Sequence, residues 1–182
     1  MIETSRLLIG WREWIALPDL HLPAIKAKVD TGARTSALHA FEVEAFHERG
    51  VLKVRFRVHP MQRRSDIVIS CVAPVIDYRS VSDSGGHHEK RFVIETTLSI
   101  GSLKFPIEMT LANRETMSHR MLLGRSAMSH LIIDPAHSYH LGRPEKIKSL
   151  YTKSSSKRHK SKSTKTRTPE KKLEKKPERK AE

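Results

Sequence analysis

Hydrophobic and polar residues alternate with a period of two along much of the first 140 positions, a pattern typical of half-buried strands. Residues 24–30 alternate apolar and basic side chains and stop at Thr-Gly, as a strand does at a turn. Residues 37–46 and 51–59 alternate on both sides of His-Glu-Arg-Gly, which predicts a hairpin.

Further apolar segments extend the pattern over residues 7–20, 66–76, 91–100 and 101–112. The first of them ends at a Pro-Asp turn, and a polar loop that contains glycine occupies residues 80–90. The best candidate for a helix is short, residues 125–131. Seven or eight strands with one short helix predict an all-β barrel or sandwich.

The chain has 182 residues with a net charge of +14, and that charge is unevenly distributed. Ten Lys, three Arg and four Glu give residues 151–182 a charge of +9, with almost no large apolar side chains. We therefore expect a folded domain over 1–145 and a disordered Lys/Arg-rich tail over 146–182. Such a tail is suited to nonspecific contact with RNA or another polyanion, or serves only as a solubilising extension.

Composition also excludes several classes of protein. The single cysteine, Cys71, lies in an apolar run and is expected to be a buried small hydrophobe. No apolar run approaches the roughly 20 residues of a membrane span. The first residues do not resemble a signal peptide, so the expected location is the cytoplasm.

Asp30-Thr31-Gly32 follows a predicted strand and raises a choice between an ordinary turn and a catalytic carboxylate. The residues after it are small, which leaves room for another backbone to approach. About ninety residues later, Leu122-Leu123-Gly124 ends a second apolar segment.

Four motifs in order carry a family resemblance: KVDTGARTSALHA, RFVIETTLSIG, LANRETMSHRMLLGRSAM and IIDPAHSY. Over residues 9–139 the chain resembles the retropepsin-like aspartic proteases associated with RimK ATP-grasp ligases, often labelled ATP-dependent zinc proteases. The resemblance implies a closed β-barrel and peptide hydrolysis by two carboxylates that share one proton. Because the chain has one Asp-Thr-Gly, the second aspartate must be Asp30 of a second subunit, which predicts a homodimer.

The resemblance also assigns roles to neighbouring residues. Thr31 would bond across the dimer, and Gly32 would let the two loops approach closely. Ala33 would leave room for the substrate backbone. Leu123 and Gly124 would pack beneath the Asp30 loop, and Arg125 would begin the helix and bond back to that loop. Of two candidate flaps, residues 46–51 and 80–90, the second is favoured by its paired glycines.

Basic side chains near these motifs predict an acidic substrate. The candidates for substrate contact are Arg34, His39, Arg91 and Arg114. The associated ligases add glutamates to a ribosomal protein, so a glutamylated substrate and a ligase partner are implied by the resemblance. A solvated basic surface is the alternative interpretation.

The sequence gives little support to the zinc and ATP parts of the family label. We find no H-E-x-x-H, no paired cysteines, no set of ligands spaced by two to four residues and no phosphate-binding G-x-x-x-x-G-K-[ST] motif. We expect no metal and no cofactor, and a zinc peptidase is the least supported function. A non-enzymatic dimeric module that binds a ribosomal protein or the ligase is the main alternative. Residues 131–142 could supply an interface strand.

Overall fold

The computed structural model describes residues 6–62, 64–82 and 86–155 and confirms an all-β fold. This part of the chain contains eleven strands, more than the pattern predicts. They are β1 (Leu7–Gly10), β2 (Arg12–Leu17), β3 (Leu22–Val29), β4 (Ser36–His39), β5 (Phe41–Glu48), β6 (Val51–Val58), β7 (Ile69–Ser82), β8 (His88–Ile100), β9 (Leu103–Ala112), β10 (Met121–Leu123) and β11 (Leu131–Asp134).

Nine of these strands form one sheet, in the order β2-β3-β10-β4-β9-β8-β7-β6-β5. An additional pairing of β2 with β8, at Ala16 and Ser99, joins six of the strands into a ring. Strands β7, β6 and β5 continue the sheet beyond that ring. The most enclosed core side chains include Leu17, Ile25, Leu38, Leu98, Met109 and Met121.

The segment predicted as one strand over 37–46 is divided at Ala40. All four residues of β4 are buried, because β4 lies between β10 and β9 within the ring. Strand β5 is mostly exposed at the edge of the sheet. The predicted hairpin that follows is confirmed, with β5 and β6 joined at Arg49-Gly50.

The helices differ from the prediction. Residues 125–131 contain a single 3-10 turn, Arg125–Ala127, and the α-helix is instead α1 (Ile147–Ser155). Ile147 and Tyr151 are buried, and the Tyr151 hydroxyl donates to the carbonyl of Ala24. The packed chain therefore continues past the predicted domain end at 145. The rest of the predicted tail, residues 156–182, lies outside the described residues.

None of the helices in the described ranges is long and apolar enough to cross a membrane.

Strand β11 pairs in parallel with β1 of the same chain. Residues 131–134 thus have an intrachain partner, whereas the sequence only indicated a strand that could serve an interface. Leu8 and Ile132 are opposite each other in this pair and are 47% and 50% exposed. The two-stranded sheet therefore presents apolar side chains to solvent.

Candidate active site

The Asp30 loop begins where two parallel strands end. Strand β10 pairs with β3, with Leu123 opposite Val29, and the Asp30 amide donates to the Leu123 carbonyl at 2.9 Å. Because the carboxyl ends of parallel strands meet at the same edge of a sheet, Asp30 and Gly124 leave their strands side by side. Residues about ninety positions apart in sequence are therefore brought together.

The Asp30 carboxylate is held by its own loop. Its Oδ1 accepts hydrogen bonds from the amides of Gly32, at 3.1 Å, and Ala33, at 3.2 Å. This is the local side-chain-to-backbone bonding typical of Asp in turns. Asp30 is half-buried, while Thr31 and Gly32 are exposed at the tip of the loop.

Gly124 lies directly against the far side of this loop. A Cβ at Gly124 would lie 2.5 Å from the carbonyl carbon of Thr35 and 2.8 Å from the Ser36 amide nitrogen. The Gly124 amide donates to the buried Ser36 hydroxyl at 3.1 Å. Only a residue without a side chain allows this approach.

Arg125 connects the second segment to the first. Its Nη1 donates to the carbonyls of Thr31, at 2.8 Å, and Gly32, at 3.0 Å. Its backbone amide donates to the carbonyl of Ala33, and the Ser126 amide donates to the carbonyl of Arg34. Four hydrogen bonds therefore hold the Asp30 loop against the residues that follow β10.

Of the predicted substrate-contacting arginines, Arg114 interacts electrostatically with both Asp30 and Arg91. Burial and the Arg91 charge lower the pKa of Arg114, while the Asp30 carboxylate raises it. Arg91, on β8, also forms an ion pair with Glu89 at 2.7 Å. Arg34 lies on the Asp30 loop and is exposed.

His39 does not occupy the position of a substrate contact. It is 1% exposed, and its Nδ1 accepts a hydrogen bond from the Arg114 amide at 2.9 Å. Burial, followed by the Arg120 charge, lowers the pKa of this imidazole. A neutral ring suits an acceptor role, so His39 holds the backbone of Arg114 while its own side chain is closed to solvent.

The hairpin favoured as a flap is formed by β7 and β8, which pair as far as Ser82 and His88. Its tip, residues 83–85, lies outside the described residues. A cleft of about 370 Å³ runs between this hairpin and the start of β5. Its lining includes Phe41, Val43, Tyr78, Arg91, Phe92 and Asn113. The cleft therefore reaches Arg91, whose charge lowers the pKa of Arg114.

A group of possible metal ligands lies elsewhere, at the end of β11. Asp134, His137 and His140 place one ligand atom each within 4.8 Å of one another. The expectation that no ligand set is spaced by two to four residues is therefore wrong. The three residues have the spacing D-x-x-H-x-x-H, which could have indicated the site from the sequence. This spacing begins inside the fourth family motif and ends one residue beyond it.

The comparisons with known proteins agree with the resemblance. The chain is 42% identical over 160 residues to a probable alpha-L-glutamate ligase of Shewanella halifaxensis, covering 86% of this chain and 35% of the ligase. It is 45% identical over 154 residues to a probable alpha-L-glutamate ligase of Desulfotalea psychrophila, covering 83% of this chain and 33% of the ligase. The chain thus spans about a third of the length of these relatives.

A crystal structure of a Legionella pneumophila protein of unknown function matches with a TM-score of 0.64 at 25% identity, covering 75% of this chain and 98% of the other. Residues 8–144 match the model of the RimB-like family, described as retropepsin-like aspartic endopeptidase RimB. The chain therefore belongs to the RimB-like family of retropepsin-like aspartic endopeptidases.

Proposed function

We propose that this protein is a homodimeric aspartic endopeptidase in which each subunit contributes Asp30 to a shared catalytic dyad. The observation that carries the proposal is the Asp30 loop itself. Its carboxylate is half-buried and fixed by two amides, and Arg125 ties the loop to the end of β10. The tip at Thr31 and Gly32 is exposed in the single chain, as a surface that meets a second copy must be.

The chemistry requires two carboxylates because peptide hydrolysis needs a base and an acid at once. Two carboxylates a few ångströms apart do not both ionise readily, so one keeps its proton. The ionised Asp30 takes a proton from water, which attacks the scissile carbonyl carbon, while the protonated Asp30 donates to the carbonyl oxygen. The pair titrates as one coupled unit.

Rigid support of the loop serves this reaction by presetting the position of the carboxylate. The bonds from Arg125 and the close approach of Gly124 leave the Asp30 loop little freedom to move. A group held near its reactive geometry avoids the entropy cost of reaching it during each turnover. We assign Thr31 the role of bonding across the dimer, and Gly32 that of allowing the two loops to meet.

An acidic peptide is the substrate class that the charges around the site favour. The carbonyl of His119 accepts a bond from Arg114 at 3.4 Å, so His119 lies beside that arginine. Burial lowers the pKa of His119, and the positive charges of Arg12, Lys28, Lys26 and Arg114 lower it further. Several cations therefore gather around His119, and one of them, Arg114, also interacts with the Asp30 carboxylate. These positive charges would attract an anionic peptide.

The relatives narrow the proposed substrate class. Their name, probable alpha-L-glutamate ligase, describes the formation of glutamyl bonds, and this chain matches about a third of each of them. We therefore propose a cytoplasmic protein substrate that carries or adjoins glutamate residues, with a glutamate ligase as a functional partner.

Replacing Arg114 with Gln should weaken binding of acidic substrates selectively. We expect the KM for a glutamate-rich peptide to rise about tenfold, because one favourable charge interaction worth about 1.4 kcal/mol is lost near the site. The KM for a neutral peptide should change much less. Steady-state assays with both peptides at low salt measure the difference.

Arg55→Gln is a suitable control, because Arg55 is an exposed arginine on β6 that pairs with Glu44. It should leave both KM values unchanged. An equal rise in KM for acidic and neutral peptides in Arg114→Gln would contradict charge recognition and would point to a structural effect.

The dimer is tested by light scattering over a dilution series of the full chain. We expect the mass of two chains to persist to low micromolar concentration. Thr31→Val, which removes the exposed hydroxyl at the loop tip, should shift dissociation to higher concentration, while Thr116→Val at another exposed position should not. A monomer at every concentration, with or without an acidic peptide, would leave Asp30 without a partner and refute the proposed dyad.

A further inference from the structure

The cluster at the end of β11 has the chemistry of a metal site. Oδ2 of Asp134 lies 2.7 Å from Nδ1 of His137 and 3.0 Å from Nε2 of His140. Two imidazoles and one carboxylate form a ligand set that suits zinc and neighbouring transition metals. We propose that Asp134, His137 and His140 bind a divalent transition-metal ion, with zinc as the best match.

The backbone presents these ligands on a loop that is already fixed. The Trp11 amide donates to the His137 carbonyl, and the Tyr139 amide donates to the Arg12 carbonyl, both at 3.0 Å. The first ligand, Asp134, is the last residue of β11 and lies opposite Gly10 of β1. The three side chains therefore converge without any need to order a flexible segment, which removes a large cost of metal binding.

Gly10 allows the loop to lie directly on β1. A Cβ at this position would lie 2.6 Å from the His137 carbonyl oxygen and 2.7 Å from the Cα of Ser138. The ligand loop and β1 are therefore in backbone contact. A metal ion held by Asp134, His137 and His140 would stabilise the loop conformation that packs on β1.

A buried carboxylate lies beneath the loop and increases the local negative charge. Glu13 is 1% exposed, and its Oε1 accepts hydrogen bonds from the His140 amide at 2.7 Å and the Gly10 amide at 2.8 Å. Its Oε2 has no hydrogen-bond partner among the described residues. A buried carboxylate is costly unless positive charge compensates it, so a cation bound beside His140 would be favoured here.

The spacing of the ligand atoms fits metal binding after a small adjustment. With metal–ligand bonds of about 2.0–2.1 Å, adjacent ligands of a tetrahedral site lie about 3.3 Å apart. The two histidine nitrogens are a few tenths of an ångström closer than that to Asp134. Binding would replace the two hydrogen bonds with metal bonds, and each ring would carry its proton on the other nitrogen.

This ion would lie apart from the proposed Asp30 dyad. None of its three ligands belongs to the Asp30 loop, and a carboxylate dyad needs no metal for hydrolysis. The three side chains leave a fourth coordination position for water. The proposal therefore does not depend on the proposed peptidase function.

The site is tested by titrating Co²⁺ into full-length protein that has first been stripped with a chelator. The intense visible bands of tetrahedral Co²⁺ report the coordination geometry, and displacement by Zn²⁺ gives the zinc affinity. We expect one Co²⁺ per chain and at least about a tenfold weaker affinity in His137→Ala, since loss of even an outer-shell partner costs that much. His137 is largely exposed, so this variant should fold normally.

Two matched variants separate this site from other binding. His47→Ala removes an exposed histidine on β5, and it should bind Co²⁺ and Zn²⁺ like the wild type. Asp30→Asn should also bind like the wild type, whatever happens to its activity. Equal affinity and spectra in His137→Ala and the wild type, or no saturable tetrahedral spectrum in the wild type, would overturn the proposal.

Discussion

Replacing Asp30 with Asn is expected to reduce peptide hydrolysis by at least about a thousandfold, the scale of general acid–base catalysis. Asn has nearly the same shape as Asp, and its carbonyl oxygen still accepts the bonds that Gly32 and Ala33 donate to Oδ1. The loop should therefore keep its conformation. In the proposed dimer, this variant would lack the ionised base and the shared proton in both subunits. Cleavage of a glutamate-rich peptide, followed by mass spectrometry, measures the effect.

Asp66→Asn is the matched control, since Asp66 is an exposed aspartate that pairs with Arg64. Its activity should equal that of the wild type. The mass and the thermal unfolding of Asp30→Asn should also match the wild type, which would separate lost chemistry from lost structure. If Asp30→Asn cleaves as well as the wild type, the dyad mechanism fails. The protein would then be better explained as a binding module.

Replacing Gly124 with Ala is expected to lower the free energy of unfolding by about 3 kcal/mol, the upper part of the usual range for overpacking. The new methyl carbon would lie 2.5 Å and 2.7 Å from the carbonyl carbon and oxygen of Thr35. These are backbone atoms, which cannot rotate away as the end of a side chain can. The segment that carries the Ala33 carbonyl would have to move away from Arg125, so activity should fall as well.

Urea unfolding at one fixed protein concentration measures this change, since the stability of the proposed dimer would depend on concentration. Gly50→Ala is the control, because Gly50 has a φ of +79° and nothing within 4 Å of the added carbon. Gly50→Ala should lower the free energy of unfolding by about 1 kcal/mol, from backbone strain alone. If the free energy of unfolding falls no further in Gly124→Ala than in Gly50→Ala, the close approach of Gly124 to Thr35 is unimportant for stability.

Local patterns account for much of the fold. Alternation before Asp30 predicted the strand that ends there, and His-Glu-Arg-Gly predicted the hairpin at Arg49-Gly50. Both features depend on side chains that are close in sequence, so a short window contains the necessary information. The same window does not reveal which strands pair. The β4 and β5 segments read as one strand because the break at Ala40 comes from β4 entering the ring between β9 and β10.

The sequence predicted the positions of some residues of the candidate site and misplaced others. Asp30 and Gly124 were selected through the family resemblance, because a parallel contact between residues about ninety positions apart has no local signature. His39 was predicted as a substrate contact, yet it lies buried beneath the Arg114 amide. Exposure of a polar residue depends on what packs over it, and alternation alone does not specify that.

Residue types and short spacings were enough to predict an all-β domain, a single Asp-Thr-Gly at the end of a strand, and an excess of positive charge. The fold class, the motif and the charge are local properties of the chain, so they can be recognised without knowing which segments pack together. Three features became visible only in the folded chain: β11 pairs with β1, Tyr151 of α1 reaches Ala24, and Asp134 converges with two histidines. Each of these depends on contacts between distant segments or on the path of a loop, because packing of the whole chain fixes those distances.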